Sequence, residues 1–227
     1  MAKFQGIQCI GFDADDTLWE NGLFYGKVQT DFQDLLSESE FSNIEDIFTQ
    51  IEIKNMDTLG YGAKAMTISM IETAIAVNPN LSTDVILKII DIGKTLFKVP
   101  IIMFPGVLET IEQLKKSYRV VIITKGELNE QQRKFDLSPL DKSMDYFILD
   151  NKDKASYQRL LNHENINIEH FMMVGNSPKS DILPILELGG WAAYIPHCAT
   201  WTLEHAVLPE HPKLITLKNM IELLDFV

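Results

Sequence analysis

Ile7-Gln8-Cys9-Ile10-Gly11-Phe12-Asp13-Ala14-Asp15-Asp16-Thr17 is an almost continuously apolar run that stops at three carboxylates within four residues. An apolar run of this length without alternation is the signature of a strand buried on both faces, as in a parallel sheet covered by helices. The pattern returns at Arg119 to Thr124 (RVVIIT), Tyr146 to Asp150 (YFILD), Phe171 to Gly175 (FMMVG) and Trp191 to Ile195 (WAAYI). Helical spacing lies between the runs. Leu108, Ile111 and Leu114 share one face of Val107 to Ser117, and Tyr157, Leu160 and Leu161 do the same in Ala155 to Asn165. Strand alternating with helix predicts an α/β fold with a doubly wound, Rossmann-like parallel sheet, whose ligands sit beyond the carboxyl ends of the strands. Lys213 to Leu217 and Asn219 to Phe226 read as a last edge strand and a closing helix.

One interval breaks the alternation. From Trp19 to about Met103 no strand pattern occurs, while Phe32 to Leu36, Ile44 to Ile53, Ala65 to Val77 and Thr83 to Phe97 carry helical spacing. Asn78-Pro79-Asn80 and Val99-Pro100 punctuate this stretch, and Phe104-Pro105-Gly106 marks the return. The expectation is a core domain of residues 1–18 plus 104–227, with an all-helical cap domain at 19–103 joined by two crossing segments that act as a hinge.

Composition narrows the function classes. The chain has 227 residues, 46% hydrophobic and 23% charged, enough for a real core and against disorder. Its net charge of −12, with no block of five or more Lys and Arg, opposes general binding to nucleic acid or an anionic membrane. Cys9 and Cys198 make neither a disulfide framework nor a zinc pattern, and are expected as reduced, buried thiols. The five histidines show no paired ligand spacing. The first apolar run is too short for a signal peptide or a span, so the expected compartment is the cytoplasm. Oligomeric state is left open.

The residues that close the strands carry the chemistry. Three neighbouring carboxylates repel one another and are best tolerated around a cation; oxygen ligands favour Mg²⁺. A plain helix cap is the competing explanation for the cluster taken alone. Thr124-Lys125-Gly126 offers a hydroxyl and loop amides suited to phosphoryl oxygens. Lys152 and Lys154 follow the third strand, and either would neutralise a dianion. Gly175-Asn176-Ser177-Pro178-Lys179-Ser180-Asp181 closes the fourth with an amide oxygen and a further carboxylate.

These four strand ends, in this order, resemble the haloacid dehalogenase (HAD) superfamily of hydrolases over nearly the whole chain. The DxDxT motif is Asp13 to Thr17, the motif ending in Thr or Ser is Val121 to Thr124, and the motif lysine is placed at Lys154, with Lys152 as the alternative. The G-D-S-x-x-x-D motif is Gly175 to Asp181, with Asn176 in place of its first acid. The insert resembles the family's helical C1 cap. A DxDD string also occurs in class II terpene cyclases, but those are large and all-helical, unlike this strand-rich chain.

The resemblance implies a Mg²⁺-dependent phosphatase of a small phosphorylated metabolite, working through an aspartyl-phosphate. Asp13 would be the nucleophile and Asp15 the acid and base; Thr17 would buttress their turn. Thr124, Lys125 and Lys154 would hold the phosphoryl group, with Asp13, Asp15, Asn176 and Asp181 around the metal. Lys64, in a cap loop read over Tyr61 to Lys64, is a candidate contact to the leaving group. Asn176 removes one negative charge and should weaken metal affinity, with Asp181 compensating. A dehalogenase, a phosphonate hydrolase using Lys64, a phosphomutase and a non-catalytic phosphometabolite-binding protein remain as alternatives.

Overall fold

The computed structural model describes residues 4–36 and 43–227. Among them, six strands form one sheet in the order β3-β2-β1-β4-β5-β6, with every pairing parallel. They are β1 (Cys9–Phe12), β2 (Arg119–Lys125), β3 (Asp145–Leu149), β4 (Phe171–Gly175), β5 (Trp191–Tyr194) and β6 (Leu214–Thr216). Strand β1 is central, with β2 and β4 on either side. The order reverses beside β1, the topological switch point at which open α/β sheets bind ligands.

The unbroken apolar runs follow from burial on both faces. Ile10, Phe12, Ile122, Met172 and Val174 pack into one cluster with Val107, Ile111 and Leu114 of α5 (Val107–Leu114). Their alternate neighbours Cys9, Val121, Ile123, Phe171 and Met173 pack into another, with Tyr157 and Leu161 of α7 (Lys154–His163) and Ile185 of α8 (Leu183–Leu188). Strands β1, β2 and β4 therefore each feed two cores, and neither of their faces tolerates a polar residue until the strand ends.

Between β1 and α5 lie α1 (Gly22–Leu36), α2 (Ile44–Leu59), α3 (Ala63–Val77) and α4 (Thr83–Lys94). Val28, Phe32, Phe48, Met66, Met70, Ala74, Ile89 and Leu96 form their core, separate from the two that flank the sheet. Ser82 starts α4 by accepting a hydrogen bond from the Val85 amide, which satisfies one of the first-turn donors. The chain divides into two compact units: Met1–Gly22, Ile101–Lys125 and Lys134–Val227 in one, Leu23–Pro100 and Gly126–Arg133 in the other. Residues 126–133, which begin α6 (Leu128–Leu137), thus group with the helical unit. Locally, Trp19 bridges Asp15 and, antiparallel, Met103, while Glu20 N–H donates to Ile102 C=O at 2.9 Å.

Four expectations are corrected. Tyr61 to Lys64 is not a loop throughout: α3 begins at Ala63, because the amide of Ala63 finds an acceptor in the Glu130 carboxylate at 2.8 Å. The helix after β4, for which the sequence offers Ser180 as the cap at Asp181, is capped instead by Ser177, accepting from the Ser180 amide at 2.9 Å. Cys198 is exposed, and only Cys9 is a buried thiol. The closing segment is 3₁₀-helical over Met220–Asp225 rather than a full α-helix.

Candidate active site

Asp13 is the first residue past β1, and its amide N–H donates to Val174 C=O at 2.9 Å, so it is pinned to the end of β4. The chain then turns sharply. Asp16 adopts φ 62°, uncommon for a residue with a side chain, and its Oδ1 accepts from the amides of Asn21 (2.9 Å) and Gly22 (2.7 Å). Burial pushes the Asp16 carboxyl up to about 6, against those two donors. The turn brings Thr17 back beneath Asp13. Its hydroxyl donates to Asp13 Oδ2 at 2.9 Å and lies 3.3 Å from Asn176 Oδ1.

The lysine that the structure brings to Asp13 and Asp181 is Lys152, not Lys154. Lys152 Nζ is fully enclosed, 2.5 Å from Asp13 Oδ1 and 2.8 Å from Asp181 Oδ1. Lys154 is exposed, with its ammonium 4.0 Å from Glu187. The helical register misleads here: Asp153 is the cap of α7, accepting from the Ser156 amide at 2.8 Å, so Lys154 opens the helix facing solvent. Lys152, in the extended turn before the cap, is the one that reaches inward. Burial, which alone would lower it, is outweighed by Asp13 and Asp181, and its ammonium is held well above the usual lysine range.

Asp181 reaches the cluster because Gly175 has no side chain. A Cβ there would lie 2.3 Å from Asp181 Oδ2, which instead accepts the Ser177 amide at 2.9 Å. Asn176 turns its Oδ1 toward Thr17 and donates from Nδ2 to Thr200 Oγ1 at 3.0 Å. Thr124 is buried at the carboxyl end of β2, one strand from Asp13. Asp13, Asp15, Thr17, Thr124, Lys152, Asn176 and Asp181 thus all belong to the carboxyl edge of the sheet. Burial, then the charge of Asp181, push the Asp13 carboxyl up to about 7 despite Lys152 beside it.

Two other expected phosphate contacts are engaged elsewhere. Lys125 pairs with the buried Glu204 and donates to Ser180 Oγ at 2.9 Å. Lys64, more than half exposed, pairs with Glu127 at 3.0 Å.

Three features escape a linear reading. Glu204, far along the chain, accepts from Ser177 Oγ and Ser180 Oγ, each at 2.5 Å, and so braces the loop after β4. Trp19 is not merely core, because its indole N–H donates to Asp15 Oδ1 at 2.7 Å. Lys134 of α6 donates to Asp15 Oδ2 at 2.8 Å. Nothing in the linear sequence singles out the first and last, because charged residues are ordinarily exposed and only the burial of Glu204 and Lys134 reveals them. His197, for which no ligand spacing exists in sequence, stands 3.6 Å from both Asp16 and Glu20, with one ring nitrogen toward each carboxylate. Asp16, Glu20 and His197 each offer one ligand atom within 4.8 Å of the others.

The model of the haloacid dehalogenase-like hydrolases matches residues 7–189. The chain belongs to that family. Among solved structures, this HAD hydrolase is similar to a haloacid dehalogenase-like family hydrolase from Xanthomonas campestris. The two share 33% identity at a TM-score of 0.87, over 98% of this chain and 91% of that one. More distant structures share the fold. The HAD-hydrolase YfnB from Bacillus subtilis, bound to magnesium, has 15% identity and a TM-score of 0.63, over 97% of this chain and 98% of that one. A predicted phosphoglycolate phosphatase from Haemophilus somnus has 16% identity and a TM-score of 0.63, over 97% and 98%. Fold neighbours also include haloacid dehalogenases. No curated protein matches the chain. Among the described residues of this HAD hydrolase, no helix is long and apolar enough to cross a membrane.

Proposed function

We propose that this HAD hydrolase is a Mg²⁺-dependent phosphatase of a small phosphate monoester. The observation that carries the proposal is the cluster in which Asp13 and Asp181 share one buried lysine, with Asp15 two residues on from Asp13. Two carboxylates and one ammonium, all buried, sum to one negative charge, and burial followed by the charge of Asp181 raises the Asp13 carboxyl. An all-oxygen donor set with surplus charge, on a loop that Gly175 lets close up, fits a hard cation. Asp13, the backbone carbonyl of Asp15, Asn176 and Asp181 would hold Mg²⁺, which would supply the positive charge that makes approach of a phosphate dianion favourable.

The chemistry of this chain's own residues then follows. A carboxylate oxygen of Asp13 attacks phosphorus, the P–O bond to the leaving group breaks, and an aspartyl-phosphate forms. Asp15 gives the departing oxygen its proton. It then takes one from the water that attacks phosphorus, breaking the bond to Asp13 and releasing phosphate. Thr124 and Lys152 supply donors to the equatorial oxygens, while Thr17 fixes the second Asp13 oxygen. Residues 19–103 would act as the cap that selects small substrates, and the cytoplasm is the compartment in which such metabolites would be met.

Asp15 also separates this reading from a dehalogenase, which has no leaving alkoxide to protonate. The test measures phosphate release from p-nitrophenyl phosphate, with Mg²⁺ and with EDTA, and halide release from a 2-haloalkanoate. The proposal expects EDTA-sensitive phosphate release and no halide. Halide release unaffected by EDTA, without phosphate release, would overturn it.

A further inference from the structure

Lys134 belongs to none of the strand-end motifs, yet at 2% exposure it ranks with Phe12 and Trp19 among the largest enclosed side chains. An ammonium is tolerated there only if its hydrogens meet oxygen atoms. Two partners are Asp15 Oδ2 and Asn21 Oδ1, each at 2.8 Å. The other oxygen of Asp15 accepts the indole N–H of Trp19, itself wholly buried. The carboxylate of Asp15 is therefore gripped at both oxygens by side chains whose own positions are fixed by packing. A carboxylate oxygen carries two lone pairs, so accepting one hydrogen bond does not by itself bar it from exchanging a proton.

Proton transfer needs this grip, because a donor must come within about 3 Å of the departing oxygen and a misplacement of about 1 Å costs on the order of 100-fold in rate. On a tight turn, an unrestrained Asp15 would visit several rotamers. We propose that Lys134 is a positioning residue for Asp15, fixing its carboxylate in the orientation from which it serves the leaving oxygen and the water. The inference rests on the phosphatase reading for the reaction, but on geometry alone for the contact.

Lys134→Met keeps the length and removes the charge; Lys134→Arg restores the charge. The Mg²⁺-loaded enzymes are compared on p-nitrophenyl phosphate, whose leaving group departs without help, and on a small alkyl phosphate, whose alkoxide needs a proton. Positioning predicts that Lys134→Met loses at least about 10-fold more kcat on the alkyl ester, with KM little changed and Lys134→Arg recovering part. A loss equal on both esters would overturn it. The second readout needs no turnover: the indole N–H of Trp19, resolved by ¹⁵N-labelled NMR. In Lys134→Met its signal should shift and its exchange quicken about 10-fold or more, while the indoles of Trp191 and Trp201 stay unchanged and report an intact fold. An unmoved Trp19 signal would refute the contact. A wild type that hydrolyses neither ester, but whose Trp19 responds as expected, would sink the phosphatase reading and leave the positioning contact supported.

Discussion

Lys152→Met removes the ammonium that stands between Asp13 and Asp181, at 2.5 and 2.8 Å, in a site closed to water. Breaking a buried ion pair by deleting one partner costs about 3–5 kcal/mol. Proton uptake by Asp13, whose carboxyl is already raised to about 7, offsets part of that, so a net of about 3 kcal/mol is expected at pH 8. For a chain of this length, each kcal/mol lowers Tm by about 2–4 °C, giving a fall of about 6–12 °C. The pH dependence has a definite sign. Below about 7 Asp13 is protonated in the folded state, so at pH 5 Lys152 faces one charge rather than two and its loss costs less. Circular dichroism melts in EDTA at pH 5 and pH 8 measure this, with Lys154→Ala as the control. Because Lys154 is exposed and weakly paired, that control should stay within about 0.5 kcal/mol of wild type. Equal shifts for the two variants, or a larger deficit for Lys152→Met at pH 5 than at pH 8, would refute the placement of Lys152 at the centre of the cluster.

Two further outcomes follow from the same charges. Asn176→Asp returns the acid that the motif lacks and should lower the Mg²⁺ concentration for half-maximal p-nitrophenyl phosphate hydrolysis by about 10-fold, or about 1.4 kcal/mol; an unchanged midpoint would contradict Asn176 as a ligand. Asp13 and Asp16, with carboxyls raised to about 7 and about 6, contribute stability that is present below their unfolded values and lost as pH rises through the folded ones. The metal-free Tm should therefore fall between pH 5 and pH 8. Mg²⁺ at about 100 times its pH 8 Kd should restore about 2.7 kcal/mol at pH 8, and the same concentration should restore less at pH 5, where Asp13 is protonated; a Tm indifferent to Mg²⁺ at pH 8 would count against the cation site.

Much of this was legible in the chain because burial on both faces leaves so distinct a trace. The residues of β1, β2 and β4 divide between two cores, one on each side of the sheet, which is why those runs are apolar without a break and why the first polar residue marks the strand end. Asp13, Thr124 and the loop from Gly175 to Asp181 were located by that rule. The rule fails beyond β3, where Lys152 and Lys154 differ by two residues and only the cap at Asp153 decides which points inward. It is silent on Lys134, which meets Asp15 119 residues away and Asn21 113 away, and on Glu204, which meets Ser177 and Ser180 27 and 24 residues away. Periodicity shows which face a residue occupies, but not which carboxylate it meets there.

Hydrolysis of p-nitrophenyl phosphate in Mg²⁺ by wild type and by Asp13→Asn tests the central claim most directly. The substitution is nearly isosteric and relieves a buried charge, so the variant should fold at least as stably as wild type. With Asp13 as the nucleophile, its rate should fall by at least about 10³-fold. Equal rates in the two proteins would contradict the account.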